Sequence, residues 1–242
     1  MRVDLQPAFV LHSRPYRDSS AIIELFTPEY GRLSVVGRGA RRQGKRRRGP
    51  LVTQPFVPLL VSWSGRSELK TLAACESAGQ ARHLAGNGLY SGLYLNELLV
   101  RLLHRHDPHP ELFALYATTL EQLASNESLE ASLRRFELKL LDDLGYSFEF
   151  AVDAHSGLGI REDSLYVYQS ELGMVECRGR PANGQPAYAG ADLVRIAEGD
   201  FSGEAAATAK RLLREVLSGH LGGEPLRSRQ LFRASRGGGQ AP

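Results

Sequence analysis

The spacing of apolar residues changes once along this chain, near residue 79, and that change limits the possible folds more than any other feature. Before it, short runs of Val, Ile, Leu and Phe alternate with turn-forming Gly, Pro and Asp. The runs cover residues 8–13, 20–27, 32–37, 56–62 and 68–73. Five strands within about 75 residues favour a small closed or partly closed barrel, because closure leaves no exposed edge.

After residue 79 the apolar residues recur at helical spacing. Leucine-rich faces predict three helices, at about residues 89–102, 112–123 and 129–144. Pro110 suits the first turn of the second helix, Ser128 suits the N-cap of the third, and Gly145 suits its end. The short connections between these helices predict a compact bundle.

The last third of the chain is less regular. Residues 153–191 are rich in Gly, Ser, Asn and Pro; strands are predicted at 164–168 and 173–176, and a last helix at about 204–218. The whole pattern predicts an α+β multidomain protein. Its predicted parts are a five-stranded barrel at 1–78, a helical domain at 79–148, an irregular C-terminal region with a final helix at 149–236, and a disordered tail at 237–242.

Composition argues against a membrane or secreted protein. No uncharged apolar run approaches the roughly 18 residues that cross a membrane, and the first ten residues lack the apolar core of a signal peptide. Cys75 and Cys177 lie far apart and make neither a disulfide framework nor a metal knuckle. We therefore expect a cytoplasmic protein in a reducing compartment.

A block of positive charge interrupts the barrel pattern between the third and fourth predicted strands. Residues 30–67 contain no Asp or Glu. Within this stretch the cations are Arg32, Arg38, Arg41, Arg42, Lys45, Arg46, Arg47, Arg48 and Arg66. Seven of them fall in residues 38–48, among glycines that disfavour a helix, and like charges repel one another in a folded interior. This basic arm is typical of a segment that binds the phosphates of nucleic acid; a solubilising loop is the alternative.

The charge is unevenly distributed. Residues 1–80 carry thirteen Lys or Arg against six Asp or Glu, whereas residues 81–150 carry six against ten. The formal net charge of +3 therefore hides a basic third followed by an acidic third. This division predicts a dedicated nucleic-acid module beside a module with a different task.

Other cations and rings extend the predicted DNA-binding path over the barrel. The cations are Arg14, Arg17, Arg32, Arg66 and Lys70. Tyr16 and Tyr30 are the candidate platforms for base stacking, whereas Phe56 and Trp63 are at least as well explained as core. A possible second basic patch, equally explained as the solvated face of a helix, comprises Lys210, Arg211, Arg214, Arg227, Arg229 and Arg233.

Five stretches, in chain order, resemble the bacterial recombination mediator family RecO. They are VLHSRPYRDSSAIIELFTPEYGRLSVVGRGARR at 10–42, TQPF at 53–56, YLNEL at 94–98, FELKLLDDLGY at 136–146 and LGGEPLRSRQLF at 221–232. The resemblance implies an N-terminal OB-fold, a central helical domain and a C-terminal region that packs back on them.

The same resemblance implies a role in recombinational DNA repair. Such proteins bind single- and double-stranded DNA, anneal complementary strands, recognise the acidic C-terminal tail of single-strand-binding protein and, with RecR, help to load RecA. The helical domain would hold that tail, with Arg134, Arg135 and Lys139 as candidate contacts. We expect a nucleoid-associated protein that is monomeric alone, needs no cofactor and has no membrane partner.

One departure from the family concerns zinc. Many members carry four cysteines directly after the motif ending in LGY, where this chain has Ala151, Asp153, His155 and Gly157. Structural zinc needs four Cys or His ligands in tight pairs, so we expect no metal.

Two rival functions stay open at this point. The His104, His106, Asp107 and His109 cluster superficially resembles the site of a metal-dependent nuclease, although Pro108 and Pro110 favour a helix end and a turn. The chain lacks a P-loop and a nucleophile elbow, which argues against an enzyme. An RNA-binding barrel module is the other alternative.

Overall fold

A computed structural model of the protein describes residues 1–38, 54–125, 128–146, 150–170, 172–177, 179, 181 and 184–237, with the backbone alone beyond Phe232. The strands are β1 Arg2–Tyr16, β2 Ser20–Thr27, β3 Gly31–Gly37, β4 Leu59–Ser64, β5 Lys70–Ser77, β6 Leu165–Gln169, β7 Gly173–Glu176 and β8 Tyr188–Ala189. The helices are α1 Gly86–Leu102, α2 Pro110–Ser125, α3 Leu129–Asp143, α4 Gly190–Ala197, α5 Gly203–His220 and α6 Ser228–Gly237.

The chain forms two compact units. The first combines Met1–Glu127 with Leu226–Pro242, and the second is Ser128–Pro225. The second unit is therefore an insertion within the first, and α6 brings the chain back to the unit in which it started. The three-domain division expected from the sequence stays a prediction; the compact units follow a different division, with α3 in the second unit.

The first unit begins with a closed five-stranded barrel. Its strand order is β1-β2-β3-β5-β4, and β4 returns to pair with β1. Neighbouring strands are antiparallel except β3 and β5, which are parallel through the pairs Val35–Lys70 and Val36–Thr71. This is the topology of an OB-fold, a Greek-key barrel of five strands. The predicted fold class is confirmed.

Alternation along the strands fills the interior of the barrel. Successive side chains of a strand point to opposite faces, so Ile23 and Leu25 on β2 and Leu33 and Val35 on β3 all enter the core. Trp63 on β4 is only 2% exposed and belongs to the same cluster. The structure therefore favours Trp63 as a core residue over Trp63 as a stacking platform for bases.

The first strand is much longer than the sequence pattern predicted. The first half of β1 pairs with β4 and its second half pairs with β2, with register shifts between Val3 and Gln6 and between Val10 and His12. These shifts break the strict alternation of apolar and polar residues that marks a strand in a sequence. The prediction therefore found only the middle of β1.

The two ends of α3 differ in how well the sequence predicted them. Ser128 is the N-cap residue, as predicted, and its carbonyl oxygen accepts from the Ser132 amide at 3.0 Å. Its side chain makes no capping hydrogen bond, because its backbone is left-handed (φ 49°, ψ 40°) and a capping side chain needs an extended backbone to reach the first turn. The assignment of Gly145 is confirmed. Its amide donates to Asp142 O and the Tyr146 amide donates to Leu141 O, both at 2.9 Å, and the φ of Gly145 is +78°.

The second unit contains α3, a three-stranded sheet of order β7-β6-β8, α4 and α5. The predicted strands at 164–168 and 173–176 correspond to β6 and β7, and the last predicted helix corresponds to α5. The pattern missed β8, α4 and α6. Two of these have only two and eight residues, and α6 is rich in Arg and Ser, so none carries a long apolar period.

A carboxylate on α1 holds the start of α6 within the first unit. Glu97 accepts hydrogen bonds from the backbone amides of Arg227 (2.9 Å) and Ser228 (2.8 Å) and from the Ser228 hydroxyl (2.7 Å). These amides lie directly before and at the start of α6, where backbone N–H groups point away from the helix and a negative charge is favourable. The rings of Tyr90 and Phe232 add an edge-to-face contact at 5.4 Å. Thus α6 is fixed to α1 at two points.

The Glu97 contact makes the docking of α6 sensitive to pH. Burial raises the pKa of Glu97, but the hydrogen bonds from Ser228 and Arg227 outweigh burial and leave this pKa below its ordinary value. A carboxyl with a lowered folded pKa contributes stability above its unfolded pKa, about 4.3, and loses it as the pH falls through the folded pKa. Hydrogen-exchange protection of α6 should therefore be constant above about pH 5 and decline at lower pH.

The matching variant is Glu97→Gln, which keeps the shape and removes the charge. It should lower the protection of α6 at neutral pH and leave it nearly independent of pH, while the barrel amides stay protected. Glu121→Gln on α2, an exposed carboxylate that pairs with Arg82, is the control and should leave α6 unchanged. Equal protection of α6 in all three proteins would contradict a role for Glu97.

Candidate nucleic-acid interface

The ends of the barrel strands come together along one line across the sheet. Register pairs join Arg14 to Ile22, Ile22 to Val36, Val36 to Thr71 and Thr71 to Ser64. Since neighbouring strands lie about 4.8 Å apart, Arg14 and Thr71 are separated by three strand spacings, or about 15 Å along the barrel wall. Most of the predicted barrel cations lie on or next to this line.

Four cations on or beside this line form what we call the basic end of the barrel: Arg14, Arg38, Arg66 and Lys70. Arg38 directly follows β3, Lys70 begins β5, and Arg66 is in the loop between β4 and β5. Arg14, Arg38 and Arg66 are exposed, and the Lys70 ammonium donates to Ser67 O at 2.7 Å. Four cationic residues therefore lie at the same end of the barrel as the end of β3.

The basic arm continues from this point. Its members after Arg38 lie in the segment 39–53, outside the described residues: they are Arg41, Arg42, Lys45, Arg46, Arg47 and Arg48. Their role in binding DNA stays a prediction from the sequence. Where the chain enters and leaves the arm is nevertheless fixed, because β3 ends at Gly37 and Gln54 is again described.

Arg32 lies away from the basic end, in a largely buried network. Its guanidinium contacts Glu24 at 3.2 Å and donates from Nε to the carbonyl oxygen of Leu103 at 3.1 Å, and its side chain is 13% exposed. Burial lowers the pKa of Arg32, while the charge of Glu24 acts in the opposite direction. Its assignment as a DNA contact stays a prediction, and its geometry favours a structural role.

Glu24 is the centre of this network and was missed by the sequence analysis. Its carboxylate accepts from Arg32, from Arg105 at 3.0 Å and from the Ser34 hydroxyl at 2.5 Å. The amide of His106 also donates to Arg32 O at 2.9 Å, so the segment between α1 and α2 adds a short bridge to β3. The available signal was an acid in the middle of the apolar strand SAIIELFT, because a buried carboxylate needs partners.

The two candidate stacking residues are each in contact with a neighbour. Tyr16 is half-buried, and the Arg17 guanidinium lies 5.1 Å from the centre of its ring. Tyr30 packs on the barrel core, with its ring perpendicular to that of Trp63 at 5.3 Å. Stacking of bases on either tyrosine stays a prediction, and the contact of Tyr30 favours a role in the core.

The possible second basic patch divides between the two compact units. Lys210 and Arg211 belong to the second unit, where Lys210 pairs with Glu130 at 2.6 Å and Arg211 lies over the ring of Tyr188 at 5.5 Å. Arg227, Arg229 and Arg233 belong to the first unit, at the start of α6 and within it. Arg227 is exposed, Arg229 is half-buried, and the side chain of Arg233 is not described.

The three cations predicted to hold a partner tail lie on α3, and each already has a contact. Arg134 is buried and pairs with Glu137 at 2.7 Å. Lys139 pairs with Asp143 at 2.8 Å. Arg135 is exposed and lies 5.8 Å from the centre of the Phe201 ring. Of the three, Arg135 is the one whose position best suits contact with another molecule.

Two family models match the chain in succession. The model described as Recombination protein O N terminal matches residues 1–81, which include the whole barrel, and the model described as Recombination protein O C terminal matches residues 83–230. The chain belongs to the RecO family. The resemblance seen in the five sequence stretches is thereby confirmed, and the boundary between the two family models falls between β5 and α1.

Close relatives in the RecO family match over nearly their whole length. The DNA repair protein RecO of Methylococcus capsulatus is 47% identical over 236 residues, which cover 97% of this chain and 95% of the relative. The proteins of the same name from Stutzerimonas stutzeri and Pseudomonas aeruginosa are 51% and 49% identical, covering 94% of this chain and 92% and 94% of the relatives.

The region after the LGY motif, for which the sequence predicts no metal, is organised by a carboxylate. Asp153 accepts from the Ser156 amide (2.9 Å) and hydroxyl (2.5 Å) with one oxygen, and from the Glu176 amide (2.9 Å) with the other. The Cys177 thiol contacts Gly179 O instead of a second ligand. Within the described ranges no three His, Cys, Asp or Glu residues are placed to hold a metal ion, so these residues do not fit zinc.

The histidine cluster between α1 and α2 lies in a turn. His104 and His106 are exposed, and His109 is buried directly before α2, 3.5 Å from Asp107. This arrangement favours the helix end and turn over a nuclease site. In the part of the chain that the structure describes, no helix is long and apolar enough to span a bilayer.

Proposed function

We propose that this RecO-family chain is a DNA-binding recombination mediator in DNA repair. It binds single- and double-stranded DNA, anneals complementary strands and, with RecR, helps to load RecA onto strands coated by single-strand-binding protein. The observation that carries the proposal is the basic end of the barrel, where four cations lie at the end at which β3 leads into an arginine-rich segment. The names of the relatives support the setting in repair.

Annealing follows from charge neutralisation. Two DNA strands repel each other, and cations bound along both reduce that repulsion and release condensed counterions. Arginine suits this role because its planar guanidinium binds phosphate through two hydrogen bonds. The protein acts without catalytic turnover, as a binding surface for two strands, and needs no cofactor.

The partners follow from the same role. The acidic tail of single-strand-binding protein carries charge opposite to exposed cations such as Arg135 on α3 and Arg227 beside α6. RecR binds the protein directly. RecA does not bind it, but binds the single-stranded DNA that becomes accessible. We place the protein in the cytoplasm, associated with the nucleoid, as a monomer when alone.

The arm provides the direct test of DNA binding. Changing Arg41, Arg42, Arg46, Arg47 and Arg48 to Ala should leave the free energy of unfolding within about 0.5 kcal/mol, as is usual for surface sites. The same change should weaken DNA binding and flatten its salt dependence by about 0.7 to 0.9 units for each phosphate that the protein no longer neutralises. Fluorescence anisotropy at four salt concentrations measures both.

A control variant removes three cations outside the barrel, Arg82→Ala, Arg161→Ala and Arg195→Ala, each of which pairs with a carboxylate. This control should keep most of the affinity and salt slope. The proposal is wrong if the arm variant binds DNA as wild type does, or if wild-type protein fails to bind DNA in dilute buffer.

The repair role needs a separate test, since many basic proteins bind DNA. Immobilised peptide with the last residues of single-strand-binding protein should retain the protein, and a peptide with its acidic residues changed to Ser should not. Equal retention on both peptides would indicate nonspecific adsorption and contradict the proposed partner.

A further inference from the structure

The outer side of β2 and β3 is buried in this protein. Residues that alternate with the core positions point outward, among them Glu24 and Phe26 on β2 and Ser34 on β3. An isolated barrel would expose them, yet Phe26 is 0%, Ser34 3% and Glu24 8% exposed. OB-folds use this face, with the loops at its sides, to bind oligonucleotides. Here the same compact unit covers it.

An aromatic cluster on α2 makes the first part of the cover. The ring of Phe26 contacts the rings of Phe113 at 5.4 Å and Tyr116 at 6.1 Å, and Phe9 on β1 contacts the same two rings at 5.5 and 5.1 Å. Asn96 on α1 joins the two layers, since it donates to Leu11 O and accepts from the Tyr116 hydroxyl.

The Glu24 network makes the second part of the cover over the β2–β3 face. Arg105 reaches Glu24 and Ser34 from the segment between α1 and α2, and Arg32 donates to Leu103 O in that segment. The Arg105 guanidinium thus lies on the β2–β3 face, where other OB-fold barrels bind a ligand. A strand of DNA cannot reach this face without displacing both the ion pairs and the rings.

Stacking platforms are also lacking elsewhere on the described barrel. Six aromatic residues lie in residues 1–38 and 54–81: Phe9, Tyr16, Phe26, Tyr30, Phe56 and Trp63. Four of them are buried, and the two tyrosines are half-buried against Arg17 and Trp63. The exposed side chains near the end of β3 include Arg14, Arg38 and Arg66 together with the acids Asp18 and Glu68, and none of them is aromatic. Cations bind phosphates in any sequence.

We propose that the barrel binds nucleic acid through the phosphodiester backbone alone, at its basic end, and holds no stacked bases on the β2–β3 face. This inference rests on the proposed function and specifies which part of the nucleic acid the barrel contacts. The ligand is a polyanionic backbone, so bases stay free to pair with a second strand. Base-independent holding is what an annealing protein requires, because a base stacked on the protein is unavailable to its complement.

The test compares two labelled oligomers of equal length, one of thymidine and one that is entirely abasic. Both carry the same phosphates, and only the first has bases. Their affinities should agree within about threefold, with equal salt slopes, because backbone contacts set the slope. Stacking of two bases would weaken abasic binding roughly 30-fold. A loss above tenfold would overturn the inference.

Variants give an independent readout. Arg14→Ala, Arg38→Ala and Lys70→Ala together should weaken binding of both oligomers equally and reduce the salt slope by about 2 units, at about 0.7 for each single-strand contact. Tyr16→Leu should change either affinity by less than twofold. A tenfold loss with Tyr16→Leu, confined to the thymidine oligomer, would show base stacking and overturn the inference. The control is the triple variant of Arg82, Arg161 and Arg195.

The fluorescence of Trp63 provides a check that needs no variant. It is the only tryptophan of the chain and is 2% exposed in the barrel core, so saturating thymidine oligomer should leave its emission unquenched. Strong quenching would show that binding disturbs the barrel core, which holding phosphates at the basic end does not require, and would contradict the inference. The two failures are distinct: a protein that binds neither oligomer disproves the proposed function, whereas one that binds only thymidine disproves this inference.

Discussion

Replacing Gly31 with Ala should destabilise the first unit by roughly 3 kcal/mol or more, among the largest effects of a single methyl group. A Cβ at this position would lie 1.9 Å from the carbonyl oxygen of Asp107 and 2.5 Å from its carbonyl carbon. Both are backbone atoms, so no side chain can rotate away. The φ of Gly31 is also +58°, which is unfavourable for any residue with a side chain. The measurement is urea unfolding followed by the emission of Trp63.

Gly86→Ala is the matched control. Gly86 has nearly the same backbone angle, with φ +51°, but a Cβ there would meet no atom within 4 Å. This variant carries only the cost of the backbone conformation, about 1 kcal/mol. The difference between the two variants measures the close approach of the α1–α2 segment to β3. Equal losses of stability in the two variants would show that this approach is unimportant.

Glu24→Ala should cost about 3 kcal/mol, because it removes the shared partner of two arginines at a buried junction. The side chains of Glu24 and Arg32 are 10% and 13% exposed, and without the carboxylate the Arg32 charge is held largely away from water. Arg105 is more exposed, at 37%, and contributes less to the destabilisation. The effect should again appear in unfolding followed by Trp63 fluorescence.

The comparison for this variant is Glu121→Ala. Glu121 also pairs with an arginine, Arg82, but the two side chains are 54% and 37% exposed. An exposed ion pair is worth less than about 1 kcal/mol, so this variant should remain close to wild type. If the two variants lose similar stability, then the Glu24 network has no special part in joining the helices to the barrel.

The elements of this protein could be predicted from its sequence wherever a local period was clear. Leu25 and Val35 alternate with outward-facing residues, and Leu98 and Leu120 repeat at helical spacing, so strands and helices were found. The barrel closure followed from the number of strands. The sequence also marked Arg14, Arg38, Arg66 and Lys70 as cations on or beside the barrel strands, but their common position at one end follows from the strand register. Their role in DNA binding stays a prediction.

The junctions could not be predicted, since they depend on residues far apart in the chain. Glu24 meets Arg105 across 81 positions, and Glu97 meets Ser228 across 131. No local pattern marks such a pair. When these contacts are unknown, Arg32 resembles a DNA contact and Tyr30 resembles a stacking platform. The sequence alone also gives no sign that the outer face of β2 and β3 is covered. A lone acid in an apolar strand is the one hint that the sequence offers.

The inserted arrangement of the two units has a consequence for biosynthesis. Ribosomes make the barrel, α1 and α2 first, yet the segment that caps this unit, residues 226–237, is made after all of the second unit. Until then, the Glu97 carboxylate cannot accept from the amides of Arg227 and Ser228, and the ring of Tyr90 cannot contact that of Phe232. A nascent chain stalled near residue 220 should therefore carry a folded barrel beside an incomplete helical layer, a natural substrate for chaperones.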